Sequence, residues 1–163
     1  MPALRQPDIK LLLSHPAHFL ALGFGSGLAP KAPGTFGSMA AIPLYLLLAQ
    51  VLLPWHIALL AIPLFVLGIW ACGKTGQALG VSDHGGIVWD EIVAMLPLLA
   101  MVPQTLLGWG AAFLLFRLFD ISKPWPISWF DARIKGGFGV MLDDALAALP
   151  AACLLYLLYP WLS

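Results

Sequence analysis

Apolar residues run along this chain in long unbroken stretches, and the polar positions fall between them in tight groups. Charge-free runs cover 32–73, 92–116 and 145–163. A membrane-spanning helix needs about 20 apolar residues at 1.5 Å of rise each. The first run is too long for one span. It predicts two helices, about 38–53 and 56–72, turning at Pro54-Trp55-His56. The last run predicts one helix over about 140–160. The middle run permits two readings. One is a single crossing of 25 residues; the other is two short helices, 91–102 and 105–119, turning at Pro103-Gln104-Thr105.

Charge chooses between them. A single crossing sets Lys31 and Lys74 opposite Arg117, Lys123, Arg133 and Lys135, with no orientation bias. A hairpin gathers all eight Lys/Arg on one side, which the positive-inside rule names cytoplasmic. The opposite turns, Leu53–His56, Val102–Trp109 and Tyr159–Ser163, then carry no formal side-chain charge. Two helices are short for a bilayer, a cost absorbed by local thinning or by burial behind longer helices. The expected fold is all-α: a polytopic membrane bundle of about five membrane-embedded helices, two hairpins plus a C-terminal span, in one domain over 1–163. The N-terminus lies inside and the C-terminus outside. Residues 15–23 form an interfacial helix, with Ser14 as its cap and Pro16 in its first turn. Ser14-His15-Pro16 interrupts the apolar stretch Leu11–Leu13, which is not the pattern of a cleaved secretory signal. Trp55, Trp109, Trp125, Trp129 and Trp161 fall near the predicted boundaries, as an aromatic belt does.

Composition agrees with a membrane setting. The apolar fraction is 61% and the mean hydropathy +0.91, against roughly 45–50% apolar in soluble domains. Charged residues make up 10%, too few to cover a soluble surface, where about 25% is usual. The formal net charge is zero, so neither a nucleic-acid partner nor a polybasic lipid anchor is indicated. Cys72 and Cys153 both sit in apolar stretches and read as small hydrophobes, with no disulfide framework or zinc spacing.

The charges that remain are clustered, and clustered charge beside lipid marks a working site. Four segments carry them. Gly23–Ser38 holds five glycines and two internal prolines, then opens a helix. Backbone amides there, near Gly34 and Thr35, make an anion site, with Lys31 as a point charge. The alternative is a capped loop at the membrane surface with Lys31 snorkelling to headgroups. Asp83-His-Gly-Gly-Ile-Val-Trp-Asp90-Glu91 ends where an apolar helix begins. Adjacent residues point roughly 100° apart on a helix, so Asp90 and Glu91 need not both reach one ion; acids at a helix start also simply suit its dipole. Asp83 with His84 offers an acid/base or ligand pair, and an exposed His84 with no role is the plainer reading. Arg117, Asp120 and Lys123 recur at i, i+3 and i+6 on one helix face, ended by Pro124 and Pro126. They read either as a surface ion-pair ladder or as phosphate-binding cations around a metal-binding Asp120. Finally, Lys135-Gly-Gly-Phe-Gly-Val-Met-Leu-Asp143-Asp144 turns into an apolar helix, with the acids about one turn inside. Two acids followed by nineteen uncharged residues are costly if idle.

Hard carboxylate oxygens suit Mg²⁺, which shares its shell with phosphate oxygens. The residues alone therefore point to a membrane enzyme handling a phosphorylated lipid, with Asp90, Glu91, Asp120, Asp143 and Asp144 as metal ligands or base. Lys31, Gly34, Thr35, Arg117 and Lys123 are the candidates for the phosphate. Water attack and a phospho-aspartate route through Asp120 or Asp83 both stay open.

The four segments resemble the phosphatidylglycerophosphatase A family. The matching stretches are 25–38, 83–91, 116–127 and 136–144, in order, within residues 25–148. Ala94 and Ala148 stand where glycine is expected, a difference of packing more than chemistry. The resemblance implies Mg²⁺-dependent removal of the terminal phosphate of phosphatidylglycerophosphate, giving phosphatidylglycerol, at the cytoplasmic face of a bacterial inner membrane. Its partners would be the lipid substrate and the bilayer, with the acyl chains remaining in lipid; the oligomeric state is not legible. Among rivals, a CDP-alcohol phosphotransferase would need a D-G-x₂-A-R…G-x₃-D-x₃-D pattern that is missing here. A small transporter would spread its acids through the membrane depth.

Overall fold

A computed structural model describes residues 5–163, and among these every regular element is helical. The helices are α1 (Ile9–Ser14), α2 (Pro16–Ala21), α3 (Pro33–Leu48), α4 (Pro54–Leu79), α5 (Trp89–Met101), α6 (Leu106–Ser122), α7 (Ile127–Arg133) and α8 (Gly136–Leu158). Short 3-10 turns follow α2, at Gly23–Leu28, and α8, at Tyr159–Trp161.

Local chemistry sets several boundaries away from the expected ones. Helix α3 begins at Pro33, not 38, because a proline at the first helical position needs no N–H partner. It ends at Leu48, five residues short of the expected 53. Helix α4 continues past 72 through Lys74 to Leu79, where Gly80 closes it in the left-handed region at φ 81°. One exposed lysine near the end of a helix does not stop it. Helix α8 starts at Gly136, so Asp143 and Asp144 lie two turns inside it rather than one. Residues 15–23 hold the short helix α2, preceded by the unexpected α1, and His15, not Ser14, caps α2: its Nδ1 accepts from the Ala17 amide at 3.0 Å. The Ser14 hydroxyl instead donates to the Leu11 carbonyl. The short α7, between Pro126 and Lys135, was not expected.

The middle apolar run is two helices. Helix α5 stops at Val102, and Thr105 caps α6 by accepting from the Gly108 amide at 3.0 Å. The Gln104 side chain donates to the Leu99 and Val102 carbonyls, so the turn needs no charge. Helix α5 is the centre of the fold. Ten of its residues are buried, including Ile92, Met95, Leu96 and Leu99, and it packs against α3, α4 and α8.

Helices α4 and α8 are the two long and apolar enough to cross a membrane. Their large side chains point outward in number, among them Leu59, Ile62, Val66, Tyr156 and Leu157. Helices α3 and α6 likewise expose Leu47, Leu106 and Leu114. A water-facing surface rarely carries so much contiguous apolar area. Contact with lipid accounts for it, and the protein is membrane-associated.

Candidate active site

The polar groups converge where α3, α5 and α8 begin and α6 ends. Asp90 and Glu91 occupy the first turn of α5, where the helix dipole favours negative charge. Asp143 and Asp144 come from α8. Arg117 and Asp120 come from the last turns of α6, and Lys123 is its C-cap. Together with Asp83, Gly34 and a few neighbours, these residues line a cavity of about 370 Å³. The positions span more than a hundred residues of sequence.

Two close backbone approaches hold the helices in this register. A Cβ at Gly34 would collide with Glu91 Oε1 and sit 3.2 Å from Arg117 Nη1, so any side chain there would displace these two groups of the site. A Cβ at Gly137 would collide with the Ile69 carbonyl and lie 2.8 Å from the Gly73 amide. That glycine lets the start of α8 lie against α4, which swings Asp143 and Asp144 toward α5.

The carboxylates pack closely enough to share an ion. Oxygens of Asp90, Glu91 and Asp144 lie within 4.8 Å of one another, and so do those of Asp120, Asp143 and Asp144. Asp144 belongs to both groups. Asp90 and Glu91 thus bring oxygens into one cluster despite their roughly 100° offset, and Asp144 joins them from another helix. Buried oxygens on four of these residues, Asp90 Oδ1, Glu91 Oε2, Asp143 Oδ1 and Asp144 Oδ2, have no hydrogen-bond partner among the described residues. Asp144 is only 3% exposed and Asp90 8%. Unpaired buried carboxylates are costly, and a cation between them removes that cost.

Cations hold the remaining acids. Arg117 pairs with Asp120 and donates to Glu91 Oε1 at 3.5 Å. Lys123 pairs with Asp143 and, at 3.4 Å, with Asp131 of α7. Both are largely buried, so they are not a surface ladder. Burial pushes the Lys123 ammonium down, but the Asp143 hydrogen bond and the charges of Asp143, Asp131 and Asp83 outweigh it, holding its pKa above the ordinary lysine value. Lys123 stands in the left-handed region, φ 41°, a strained backbone for a side-chain-bearing residue. Pro124 just after it bars the helix from continuing.

The structure does not bring every expected residue into the cavity. Lys31 is exposed and does not line it; the chain turns at Ala32, whose φ is 48°, before reaching the site. Thr35 is also outside the lining, and its amide is taken by the Ala32 carbonyl at 2.9 Å. Of that segment, Ala32, Pro33 and Gly34 line the cavity, and Gly34 comes closest to Glu91. Asp83 sits at the exposed rim, apart from both ligand groups. The His84 ring accepts from the Gly86 amide at 3.0 Å, which makes it a turn stabiliser. Asp131 was overlooked, although it lies within the charge cluster 117–144. Its partnership with Lys123 follows only from α7.

Fold and site together define an all-helical, membrane-associated protein with a buried, strongly acidic site. A family model described as phosphatidylglycerophosphatase A matches residues 19–159. A phosphatidylglycerophosphatase A of Escherichia coli (strain K12) is 46% identical over 149 residues, covering 90% of this chain and 86% of its own. One from Haemophilus influenzae is 45% identical over 157 residues, covering 96% of each. A Bacteroides thetaiotaomicron protein, 42% identical over 137 residues and covering 80% of this chain and 85% of its own, is named provisionally a phosphatidylinositol-3-phosphatase. No solved structure matches the chain. The chain belongs to the phosphatidylglycerophosphatase A family and is a phosphatase.

Proposed function

We propose that this protein hydrolyses the terminal phosphomonoester of phosphatidylglycerophosphate to phosphatidylglycerol, with Mg²⁺ as cofactor, at the cytoplasmic face of a bacterial inner membrane. The observation that carries the reading is the charge balance of the cavity. Six carboxylates line it against two cations, a formal sum of 2 − 6 = −4. A phosphomonoester, itself an anion, would be repelled unless a further cation accompanied it.

Asp90, Glu91 and Asp144 are the residues that would hold the ion, with Asp120 and Asp143 beside them. When bound, Mg²⁺ neutralises phosphate charge and acidifies a coordinated water. The chain's own groups supply the rest. Arg117 and Lys123 donate to phosphate oxygens as these exchange places with Asp120 and Asp143 around the cations. The free Gly34 end of α3 adds an amide aimed at the anion. A carboxylate of the cluster accepts the proton of the attacking water. The new P–O bond forms to that water's oxygen, the bond to the glycerol oxygen breaks in line, and that oxygen takes the proton back from the carboxyl group to leave as the alcohol. A half-buried cavity with fixed charges performs this without reorganising solvent.

Five helices, α3, α4, α5, α6 and α8, form the membrane-embedded bundle in this reading. Support comes from the apolar outward faces of α3, α4, α6 and α8, and from the positive-inside bias of the charged end. The substrate headgroup enters from the cytoplasmic leaflet.

The test is phosphate release from phosphatidylglycerophosphate by purified protein, with Mg²⁺ and with excess chelator. Release is expected only with the ion, and Asp90→Asn is expected to abolish it. Undiminished release in chelator removes the metal from the mechanism. Absence of release with the ion, set against hydrolysis of phosphatidylinositol 3-phosphate, would move the activity to that lipid.

A further inference from the structure

A second cavity adjoins the acidic one, and its chemistry is the opposite. It is a groove of about 490 Å³ between α4, α5 and α8. Asp90 lines both spaces; every other residue of the groove is apolar. Small side chains from all three helices form its floor: Ala58 and Ala61, Ala94, and Ala145, Ala148 and Ala152. Its rim residues Ile62, Val66 and Leu149 are each more than 60% exposed, so it opens sideways along its length.

The dimensions select an occupant. On α5 the groove runs from Asp90 to Met101, and on α8 from Met141 to Ala152. Eleven residues at 1.5 Å of rise make about 16 Å. One leaflet of hydrocarbon is about 15 Å, half of a core about 30 Å thick. The groove is therefore about as long as one leaflet is deep.

We propose that this groove seats one acyl chain of the lipid substrate while the phosphorylated headgroup occupies the acidic cavity. The inference rests on the lipid-phosphatase reading. The polarity order matches a single amphiphile: six carboxylates and two cations at one end, a purely apolar slot at the other, and Asp90 at the junction. The chain would then be extracted from the leaflet, not left in it. Ala94 and Ala148, where the family resemblance suggested glycine, set the depth of the slot.

Two measurements test this. In the first, Ala148→Leu fills the groove floor, and kcat/KM is compared for phosphatidylglycerophosphate bearing long acyl chains and for the same headgroup bearing very short ones. The long-to-short ratio is expected to fall at least tenfold. An unchanged ratio, whether or not both rates drop, overturns the proposal. In the second, wild-type protein is illuminated with phosphatidylglycerophosphate carrying a diazirine midway along one chain. Label is expected on the groove segments of α5 and α8 and is expected to be displaced by unlabelled substrate. Label on the outward faces of α3 and α6 instead, or groove label that unlabelled substrate does not displace, overturns it. Groove labelling without any hydrolysis of that lipid would sink the activity reading and leave the acyl-chain site standing.

Discussion

Replacing Asp144 with asparagine separates the two things this residue does. Its carboxylate lies within 4.8 Å of acidic oxygens in both ligand groups, and its Oδ2 is buried without a partner. At that separation and an effective dielectric constant near 20, one like-charge pair costs about 3 kcal/mol. Arg117 and Lys123 serve other carboxylates, so they offset only part of it. An isosteric amide removes the repulsion and can donate to the orphaned Asp90 oxygen. In chelator, Asp144→Asn should therefore be more stable than wild type, by about 1–2 kcal/mol on this Coulomb scale. For a chain of this length that is about 3–6 °C in Tm. Mg²⁺ at a hundred times its Kd should stabilise wild type by about 2.7 kcal/mol, or about 8 °C, and the variant hardly at all. Phosphate release should fall by a factor of about 10² or more, as when a preorganised charge is lost from an active site. The assay is thermal unfolding by circular dichroism in detergent, in chelator and in Mg²⁺, alongside phosphate release. A variant less stable than wild type in chelator, or one keeping the full Mg²⁺ shift, refutes the account of Asp144 as an idle charge awaiting an ion.

Two further predictions concern other parts of the molecule. Gly34→Ala pushes a methyl into Glu91 Oε1, so kcat should drop at least tenfold with the helical spectrum unchanged; wild-type turnover would show that the α3–α5 approach is not tight. His18, 6% exposed, bonds Thr75 Oγ1 at 2.8 Å and ties α2 to α4. Burial, then the charges of His15, Lys74 and Arg5, holds its pKa below the ordinary 6.5. The folded state therefore resists protonation: its stability is present above pH 6.5 and is lost as pH falls through the lowered folded value. His18→Ala should cost about 1–3 kcal/mol at pH 8 through the unpaired Thr75 hydroxyl and should flatten the acid limb of Tm against pH. A wild-type Tm that rises, relative to the variant, between pH 6.5 and 5 would reverse that sign.

Hydrophobic run lengths and the clustering of charge determined much of this protein. A helix-only fold, a turn near Pro103 and the catalytic interest of Asp90, Asp120 and Asp144 all follow from where charge is tolerated beside long apolar helices. Local chemistry was legible where a single residue dictates it, as at Pro16 and Pro124. What stayed hidden depends on contacts between distant segments. Periodicity says that Asp90 and Glu91 diverge; only α8, lying close to α4 at Gly137, brings Asp144 to where both can meet it. Composition counts Lys31 among the useful cations; only the turn at Ala32 takes it out of the cavity and leaves Arg117 and Lys123 as the cations that line it. The alanines of α4, α5 and α8 look like ordinary helix filler until three of those helices face one another and leave a slot. Spacing along a chain constrains neighbours within about a turn of helix, whereas a site is a property of packing, and packing is decided by which surfaces of separate helices fit.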